Sequence, residues 1–229
     1  MSESTIYKPW VYNGKSIYKG DSVYNGNGVY KDGAGEFVEI GGKKYPVAII
    51  GVQKWIIYNL DFIFDGLIIG GVSNSTSPKA NYYDDDENLY GWNGRKCGLL
   101  YNWYALKYLE EHKTELLNGY RVPTLTDYQK LYNFLGGNND AIKKIKEKNI
   151  EWALSWSGNN LSKFSALPGG YCGGSSPKFG SIGVYANYSS LTDVYNSNYD
   201  FYFGENNVAN FSLGDKMARY SLRLLQDIS

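Results

Sequence analysis

A six-residue repeat opens the chain and restricts its first part to short strands and tight turns. Over residues 11–33, each unit places a β-branched residue and a tyrosine ahead of polar residues and a glycine. This pattern is typical of brief strands joined by two-residue turns of the Asn-Gly kind, so it predicts a small β-meander. A hexapeptide solenoid is the alternative, although a bulky tyrosine in every unit would crowd its coils.

The repeat segment, residues 1–38, is too short to enclose a core of its own. Pieces below about 40 residues usually need a partner, a metal or a disulfide. We therefore predict a docking or oligomerisation element, with a homotrimer favoured. The alternative is a segment that has no such role and packs on the chain's own domain. The residues predicted for this role occupy the apolar and aromatic positions of the units: Tyr12, Ile17, Tyr18, Val23, Tyr24, Val29 and Tyr30.

Residues 39–229 are predicted to form one main domain of the α+β class. Its best signal is a helix in which Thr124 and Asp127 form a capping pair and the apolar residues follow helical spacing. The other predicted elements are two strands on either side of Gly51, a polar loop over 73–95, a helix over 99–111, a short basic helix over 141–149 and a final strand over 219–226.

Charge and composition narrow the classes of partner. The 23 basic and 23 acidic side chains balance, so no field of one sign attracts nucleic acid or an anionic membrane. No apolar window approaches the roughly 18 residues of a membrane-spanning helix. The 23 tyrosines and 6 tryptophans favour a recognition surface, because tyrosine offers a large rigid contact area with a polar tip. Packing needs alone can also produce an aromatic-rich sheet.

Seven short motifs follow one another across the main domain. They are Ile49-Ile-Gly-Val-Gln-Lys-Trp-Ile-Ile-Tyr-Asn-Leu60, Gly98-Leu-Leu-Tyr-Asn-Trp-Tyr-Ala105, Gly119-Tyr-Arg-Val-Pro-Thr-Leu-Thr-Asp-Tyr128, Asn160 with Phe164-Ser-Ala-Leu-Pro-Gly-Gly-Tyr171, Phe179-Gly-Ser-Ile-Gly183, Tyr188-Ser-Ser190 and Arg219-Tyr-Ser-Leu-Arg223. In this order they resemble the Fibrobacter succinogenes major paralogous domain, a family abundant in surface proteins of Bacteroidota and present in some of their phages.

This resemblance implies a C-type-lectin-like fold, with two main helices beside short irregular strands, and a surface-exposed setting. It implies no particular ligand, because the family lacks a generally established activity. The chain departs from the family pattern at two places. Asn187-Tyr188 stands where paired tryptophans are usual, and Cys97 stands where a tyrosine often occurs.

Candidate catalytic groups are few, so we expect no enzyme, no catalytic residue and no cofactor. His112 is the chain's single histidine and lies at the polar end of a predicted helix, where a solvated side chain is expected. Cys97 and Cys172 lack metal-type spacing, and we predict that both are free and structural. We expect no metal. Calcium at Asp84–Glu87 is the alternative to a solvated acidic turn, but adjacent carboxylates point apart.

Aromatic and amide side chains in predicted loops offer what sugar binding needs. A pyranose stacks its apolar side on an aromatic ring, and its hydroxyls pair with amides or carboxylates. The alternative is that these tyrosines fill the core. The predicted ligand-binding residues are Tyr82, Trp92, Asn93, Tyr185, Asn187, Tyr188, Asn196 and Tyr199.

The first residues show no basic and apolar run of a secretory signal. Since virion proteins reach the outside by assembly and lysis, we expect a phage virion protein at the virion surface. This would be a fibre, a fibre tip or a capsid decoration that mediates host attachment through glycans. Expected partners are virion proteins or symmetry mates and a host-surface glycan or protein, without nucleic acid or membrane insertion. The alternatives are a bacterial cell-surface or extracellular carbohydrate-binding module and a purely structural virion decoration.

Overall fold

The structure, a computed structural model, describes residues 10–12, 17–19, 22–24, 36–71, 76–86, 91–92, 95–148, 150, 153–174 and 178–228. Within these residues, four α-helices and eighteen short strands form a mixed α+β fold that is richer in strands than in helices. The predicted α+β class is therefore confirmed.

The strands of the first half alternate with tight turns and are mostly two to four residues long. They are β1 (Trp10–Tyr12), β2 (Ile17–Lys19), β3 (Ser22–Tyr24), β4 (Phe37–Ile40), β5 (Lys43–Ile50), β6 (Gln53–Ile56), β7 (Ile68–Ile69), β8 (Lys79–Asn81), β9 (Gly91–Trp92), β10 (Arg95–Lys96) and β11 (Leu100–Tyr101).

The helices occupy the middle of the chain, and the second group of strands follows them. The helices are α1 (Trp103–Glu111), α2 (Lys113–Leu116), α3 (Leu125–Phe134) and α4 (Asn139–Ile145). The later strands are β12 (Gly169–Cys172), β13 (Phe179–Ile182), β14 (Ala186–Val194), β15 (Ser197–Phe203), β16 (Ala209–Asp215), β17 (Tyr220–Ser221) and β18 (Leu225–Asp227).

The first sheet joins the repeat segment to the main domain. Its strand order is β18-β6-β5-β1-β2-β3, and β4 also pairs with β5. Strand β1 runs parallel to β5, with Trp10 opposite Ala48, whereas β1, β2 and β3 pair antiparallel in sequence. Three repeat units thus form the predicted meander rather than a parallel coil. The fourth unit, with Val29 and Tyr30, lies outside the described residues.

A strand crosses the predicted domain boundary between residues 38 and 39. That boundary falls inside β4, which pairs antiparallel with β5. The two strands predicted around Gly51 are confirmed as β5 and β6. Gly51 adopts φ +65°, in the left-handed region that a tight hairpin turn requires and glycine adopts readily.

The second sheet is organised around β14. Strands β15 and β16 follow it antiparallel on one side. On the other side, β14 pairs in parallel with β12 and β17, and the sheet continues through β11, β8 and β7. Strands β8 and β9 and the first residue of β10 lie in the stretch over 73–95 that was predicted to be a loop, so that prediction is wrong for residues 79–81, 91–92 and 95.

The helix starts follow local capping chemistry. In α3, the Thr124 hydroxyl accepts a bond from the Asp127 amide, and the Asp127 carboxylate accepts from the Thr124 amide at 2.8 Å, so the predicted capping box is confirmed. The helix predicted over 99–111 begins only at Trp103. Leu100 and Tyr101 pair with β8 and β17, and Asn102 caps α1 by accepting from an amide of its first turn at 3.0 Å.

The strand predicted over 219–226 is also interrupted. Residues 222–224 leave the second sheet and carry the chain across to the first, where β18 pairs with β6. Two carbonyls of this crossing, those of Leu222 and Leu224, accept bonds from the Leu60 and Ile56 amides. The crossing turns the Arg223 side chain into the core, where it is fully buried.

A buried polar network around Arg223 connects distant segments. Its Nε donates to the Asn59 Oδ1 at 2.9 Å, its Nη2 donates to the Ser165 carbonyl at 2.9 Å, and its Nη1 donates to the Phe164 carbonyl. The guanidinium also lies over the Phe164 ring, 4.5 Å from the centroid. The Tyr188 hydroxyl of β14 donates to the same Asn59 oxygen at 3.3 Å. This network therefore couples the end of the first sheet to the centre of the second.

Replacing Arg223 with methionine should lower the free energy of unfolding by at least about 3 kcal/mol, because it leaves several buried acceptors without a donor. The exposed Lys107→Met is the control and should change stability by less than about 0.5 kcal/mol. Denaturant unfolding measures both. A loss at Arg223 no larger than the control's would contradict the role given to this network.

Candidate functional site

Strands β14, β15 and β16 form a sheet region whose two faces differ in character. Side chains alternate between faces along a strand, and the inner face is aromatic and buried. Tyr188 lies opposite Phe201, and Phe201 lies opposite Phe211, with the Phe201 and Phe211 rings stacked at 4.9 Å between centroids. Helix α3 places Tyr128 against them, 5.3 Å from the Phe201 ring.

The opposite, outer face carries polar side chains of β15 and its neighbours. Asp200 lies between Ser189 of β14 and Ser212 of β16 in the strand register. The Ser212 hydroxyl donates to the Asp200 Oδ1 at 3.1 Å. Tyr202, two residues along the strand, shares this face and lies opposite Asn187.

Two pairs of tyrosines stand on this outer face. The Tyr185 and Tyr202 rings meet edge to face, with 6.1 Å between centroids, and the Tyr171 and Tyr220 rings lie 6.5 Å apart. Tyr171 is 37 % exposed, and the other three are partly buried. We call these four tyrosines, together with Asn198, Asp200 and Ser212, the tyrosine face.

The Tyr220 hydroxyl and the Asp200 carboxylate both lie close to Gly214 of β16. A Cβ at Gly214 would lie 3.1 Å from the Tyr220 Oη and 3.5 Å from the Asp200 Oδ1. The phenol oxygen and the carboxylate therefore border the same small space above the glycine. A larger residue than glycine would fill that space.

Asp200 is a buried carboxyl, with only 5 % of its surface exposed. Burial raises its pKa to about 6, although the bond from Ser212 works in the opposite direction. Burial also raises the pKa of Tyr220, and the neighbouring Asp200 charge adds to that effect. Among the described residues, no lysine, arginine or histidine forms an ion pair with Asp200.

A second buried acceptor on this face receives no hydrogen bond from the described residues. Asn198 of β15 is 1 % exposed, and its Oδ1 has no hydrogen-bond donor among the described residues. Its Nδ2 donates to the Ser189 hydroxyl at 3.4 Å and to a backbone carbonyl at 3.2 Å. Asn198 and Asp200 are two residues apart on one strand and so belong to the same face.

The predicted ligand-binding residues are scattered by the structure. Tyr185 lies on the tyrosine face, and Asn196 is exposed at the turn between β14 and β15. Tyr199 projects from β15 on the side opposite to Asp200, because the two are adjacent in a strand. Tyr82 is half-buried against the core cluster that contains Leu60 and Leu106.

Asn187 and Tyr188 need correction. Both lie in strand β14 rather than in a loop. Tyr188 is fully buried in the inner core, and Asn187 uses its Nδ2 to reach the Gly170 carbonyl at 3.3 Å. The side chain of Trp92 and the whole of Asn93 lie outside the described residues.

Sequence reasoning missed Tyr171, Tyr202, Tyr220, Asp200 and Ser212. The segment Ser197-Asn-Tyr-Asp-Phe-Tyr-Phe203 carries a sequence signal for two of them. Asp200 and Tyr202, like Asn198, take alternate positions along it. That period of two separates a polar face from an aromatic one. Tyr171 and Tyr220 come from other strands, so their approach to Asp200 depends on the strand order.

The other candidate groups lie apart from this face. Asp84, Asp85 and Asp86 are exposed, and the Asp85 carboxylate accepts from Asn81 at 2.6 Å, while Glu87 is outside the described residues. The part of the chain that the structure describes contains no group of three or more His, Cys, Asp or Glu placed to hold a metal ion.

The histidine and the two cysteines take structural positions. His112 ends α1 and stacks on Tyr108 at 4.1 Å between ring centroids. Cys97 and Cys172 are free and buried, as predicted, and burial raises the pKa of the Cys172 thiol. None of the described helices is long and apolar enough to cross a membrane.

Asp200 should titrate near pH 6, measurable by NMR of its side-chain carboxyl carbon. Its folded-state pKa lies above the unfolded value of about 3.9, so its contribution to stability is complete below about pH 4 and is lost as the pH rises through about 6. Asp200→Asn should remove this part of the pH dependence of unfolding. Titration near pH 4 in the folded protein would contradict the burial described here.

One comparison with known proteins agrees with the family resemblance of the sequence motifs. The family model of the Fibrobacter succinogenes major domain matches residues 49–226. A search of curated proteins found no match, and a search of solved structures found none. The matched residues include every strand from β6 to β17 and all four helices. Because the match covers well over half of the chain, this protein belongs to the Fibrobacter succinogenes major domain family.

Proposed function

We propose that this protein is a non-enzymatic recognition protein that contacts a surface ligand through its tyrosine face. The observation that carries the proposal is the set of four tyrosines around the buried Asp200, which forms no ion pair with any described residue. Tyrosine rings supply apolar contact area at little rotamer cost, and carboxylate and amide groups set the orientation of a polar ligand. A glycan is the ligand class that uses both kinds of contact.

The scaffold proposed for this role is C-type-lectin-like. Helices α1 and α3 pack against β14, and α3 also contacts β15, while the remaining strands are short and irregular. This arrangement supports the fold that the family resemblance implies. It leaves the outer face of β15 and β16 as the side that is not covered by these two helices.

The setting proposed is the surface of a phage virion, as a fibre, fibre tip or capsid decoration. The family's occurrence in Bacteroidota surface proteins and their phages supports a surface setting, and the alternative is a bacterial cell-surface or extracellular module. The genes beside this one separate the two: capsid, portal or tail genes favour the virion, and polysaccharide-utilisation genes favour the cell. A purely structural decoration would bind no glycan at all.

The repeat segment is proposed to dock the protein to a larger assembly or to its own copies. Its support is the continuity of the first sheet, in which β1, β2 and β3 extend outward from β5. Tyr12, Ile17, Tyr18, Val23 and Tyr24 lie on these strands. In the described part of the chain, β3 pairs on one side alone, and such an edge can add a further strand from a partner.

Removing residues 1–35, which leaves β4 in place, should abolish self-association or capture of the docking partner while the main domain stays folded. Light scattering after size-exclusion chromatography reports the mass, and circular dichroism reports the fold. If the truncated protein kept the assembly state and the partner of the full chain, the docking role would be contradicted.

Tyr202→Ala should weaken glycan binding by about tenfold or more, since stacking partners in a binding site commonly contribute more than 1 kcal/mol. Tyr195, which is 94 % exposed at the turn between β14 and β15, provides the matched control, and Tyr195→Ala should bind normally. A glycan array screens for ligands, and calorimetry compares the variants. Equal binding by wild type and Tyr202→Ala would place recognition elsewhere.

A further inference from the structure

We infer that the tyrosine face is built for a ligand with a positively charged nitrogen, either a protonated amine or a quaternary ammonium. This inference rests on the proposed function, because it names the chemical class of ligand for the same site. Three features of the face lead to it: a carboxylate with no cation and a buried acceptor with no donor among the described residues, and aromatic rings on both sides of them.

The carboxylate comes first. Asp200 is nine-tenths buried or more, and the side chains beside it in the strand register are the hydroxyl groups of Ser189 and Ser212. Ser212 supplies one hydrogen bond. A buried charge is costly unless an opposite charge or several donors compensate it. Among the described residues no such cation reaches Asp200, so a cationic ligand would supply what the face lacks.

The unpaired acceptor is the second feature. The Asn198 Oδ1 is buried and accepts no hydrogen bond within the described chain. It lies on the same side of β15 as the Asp200 carboxylate, about two strand residues or roughly 7 Å along the chain. A protonated primary amine carries three N–H donors. An amine with a neighbouring hydroxyl therefore carries donors for both acceptors.

The rings are the third feature, and the strand register places them on both sides of Asp200. Tyr202 follows Asp200 on the same face of β15. The Tyr220 hydroxyl lies beside Gly214, and Gly214 is opposite Asn198, which precedes Asp200. The faces of aromatic rings attract cations within about 6 Å of the centroid, and this attraction is the basis of aromatic cages for ammonium groups.

A neutral sugar fits the same face less completely. Its hydroxyls can donate to Asp200 and Asn198, but they leave the carboxylate charge without a counter-charge. A free amino sugar offers the stacking surface of a pyranose and the missing cation together. A quaternary ammonium such as choline offers the cation and the ring contacts without any N–H donor.

The charged and titratable groups around the face predict how binding depends on pH. Asp200 faces Ser189 of β14, Ser212 of β16 and Tyr220 of β17, and Asp215 and Tyr171 lie near Tyr220. Burial raises the pKa of Asp200 to about 6. Affinity for an amine should therefore be highest near pH 7, where Asp200 is ionised and the amine is protonated, and should fall as the pH drops through about 6.

The test is an NMR titration of the whole chain with glucosamine, N-acetylglucosamine and choline at pH 7, where both Asp200 and the glucosamine amine are mostly charged. Glucosamine should shift resonances of Asp200, Tyr202 and Tyr220 and bind about tenfold or more tightly than N-acetylglucosamine, since acetylation removes the charge and a charge-assisted bond is lost. Choline binding without glucosamine binding would assign the site to quaternary ammonium groups. Binding of glucosamine alone would assign it to amino sugars.

Asp200→Asn keeps the shape of the side chain and removes its charge, so it should abolish the preference for glucosamine and its dependence on pH. The control is Asp65→Asn, because Asp65 is an exposed aspartate in the segment between β6 and β7. Equal affinities for glucosamine and N-acetylglucosamine, or an unchanged preference in Asp200→Asn, would overturn the inference. So would no binding of any of the three probes.

Failure of the inference and failure of the proposed function give different results. If neutral glycans bind and Tyr202→Ala weakens them, while the amine brings no advantage, the recognition role survives and the cationic ligand class is wrong. If ligands found on the array bind Tyr202→Ala as well as wild type, the tyrosine face itself is not the binding surface.

Discussion

Asn59 stands at the junction of the two sheets, and its amide uses all of its hydrogen-bonding capacity there. Its Oδ1 accepts from Arg223 and Tyr188, and its Nδ2 donates to the Cys97 carbonyl and the Ser221 hydroxyl. An amide offers two donors and two lone pairs, so no group of this side chain is left over. Buried and satisfied networks of this kind fix one arrangement of the segments they join.

The tyrosine face depends on that junction, although it lies on the other side of the sheet. The Tyr188 hydroxyl, on the inner face of β14, donates a hydrogen bond to Asn59. Strand β15 in turn pairs with β14 in a defined register. Because side chains alternate along β15, a register that buries Phe201 inward also turns Asp200 outward. The position of the Asp200 carboxylate is thus a consequence of the register. Its desolvation lowers the stability of the fold, so a requirement for stability does not explain why an aspartate stands there.

Local chemistry in the sequence was sufficient for part of the fold. The capping pair of α3 and the turn at Gly51 are decided by neighbouring residues, and both were predicted correctly. Leu100 and Tyr101 continue the helical spacing of α1, but their pairing with β8 and β17 is a long-range contact that the spacing does not reveal. Tyr188 looked like a loop residue because its asparagine and serine neighbours are polar. Tyr171 and Tyr220 reach the face only through the strand order.

The ligand site proposed on the outer face of β15 is centred on Asp200. A crystal structure of the protein grown with an amino sugar tests it most directly. We expect the amine nitrogen at about 3 Å from the Asp200 carboxylate and within about 6 Å of the Tyr202 or Tyr220 ring. A ligand bound elsewhere, or a lysine or arginine of the chain itself paired with Asp200, would contradict it.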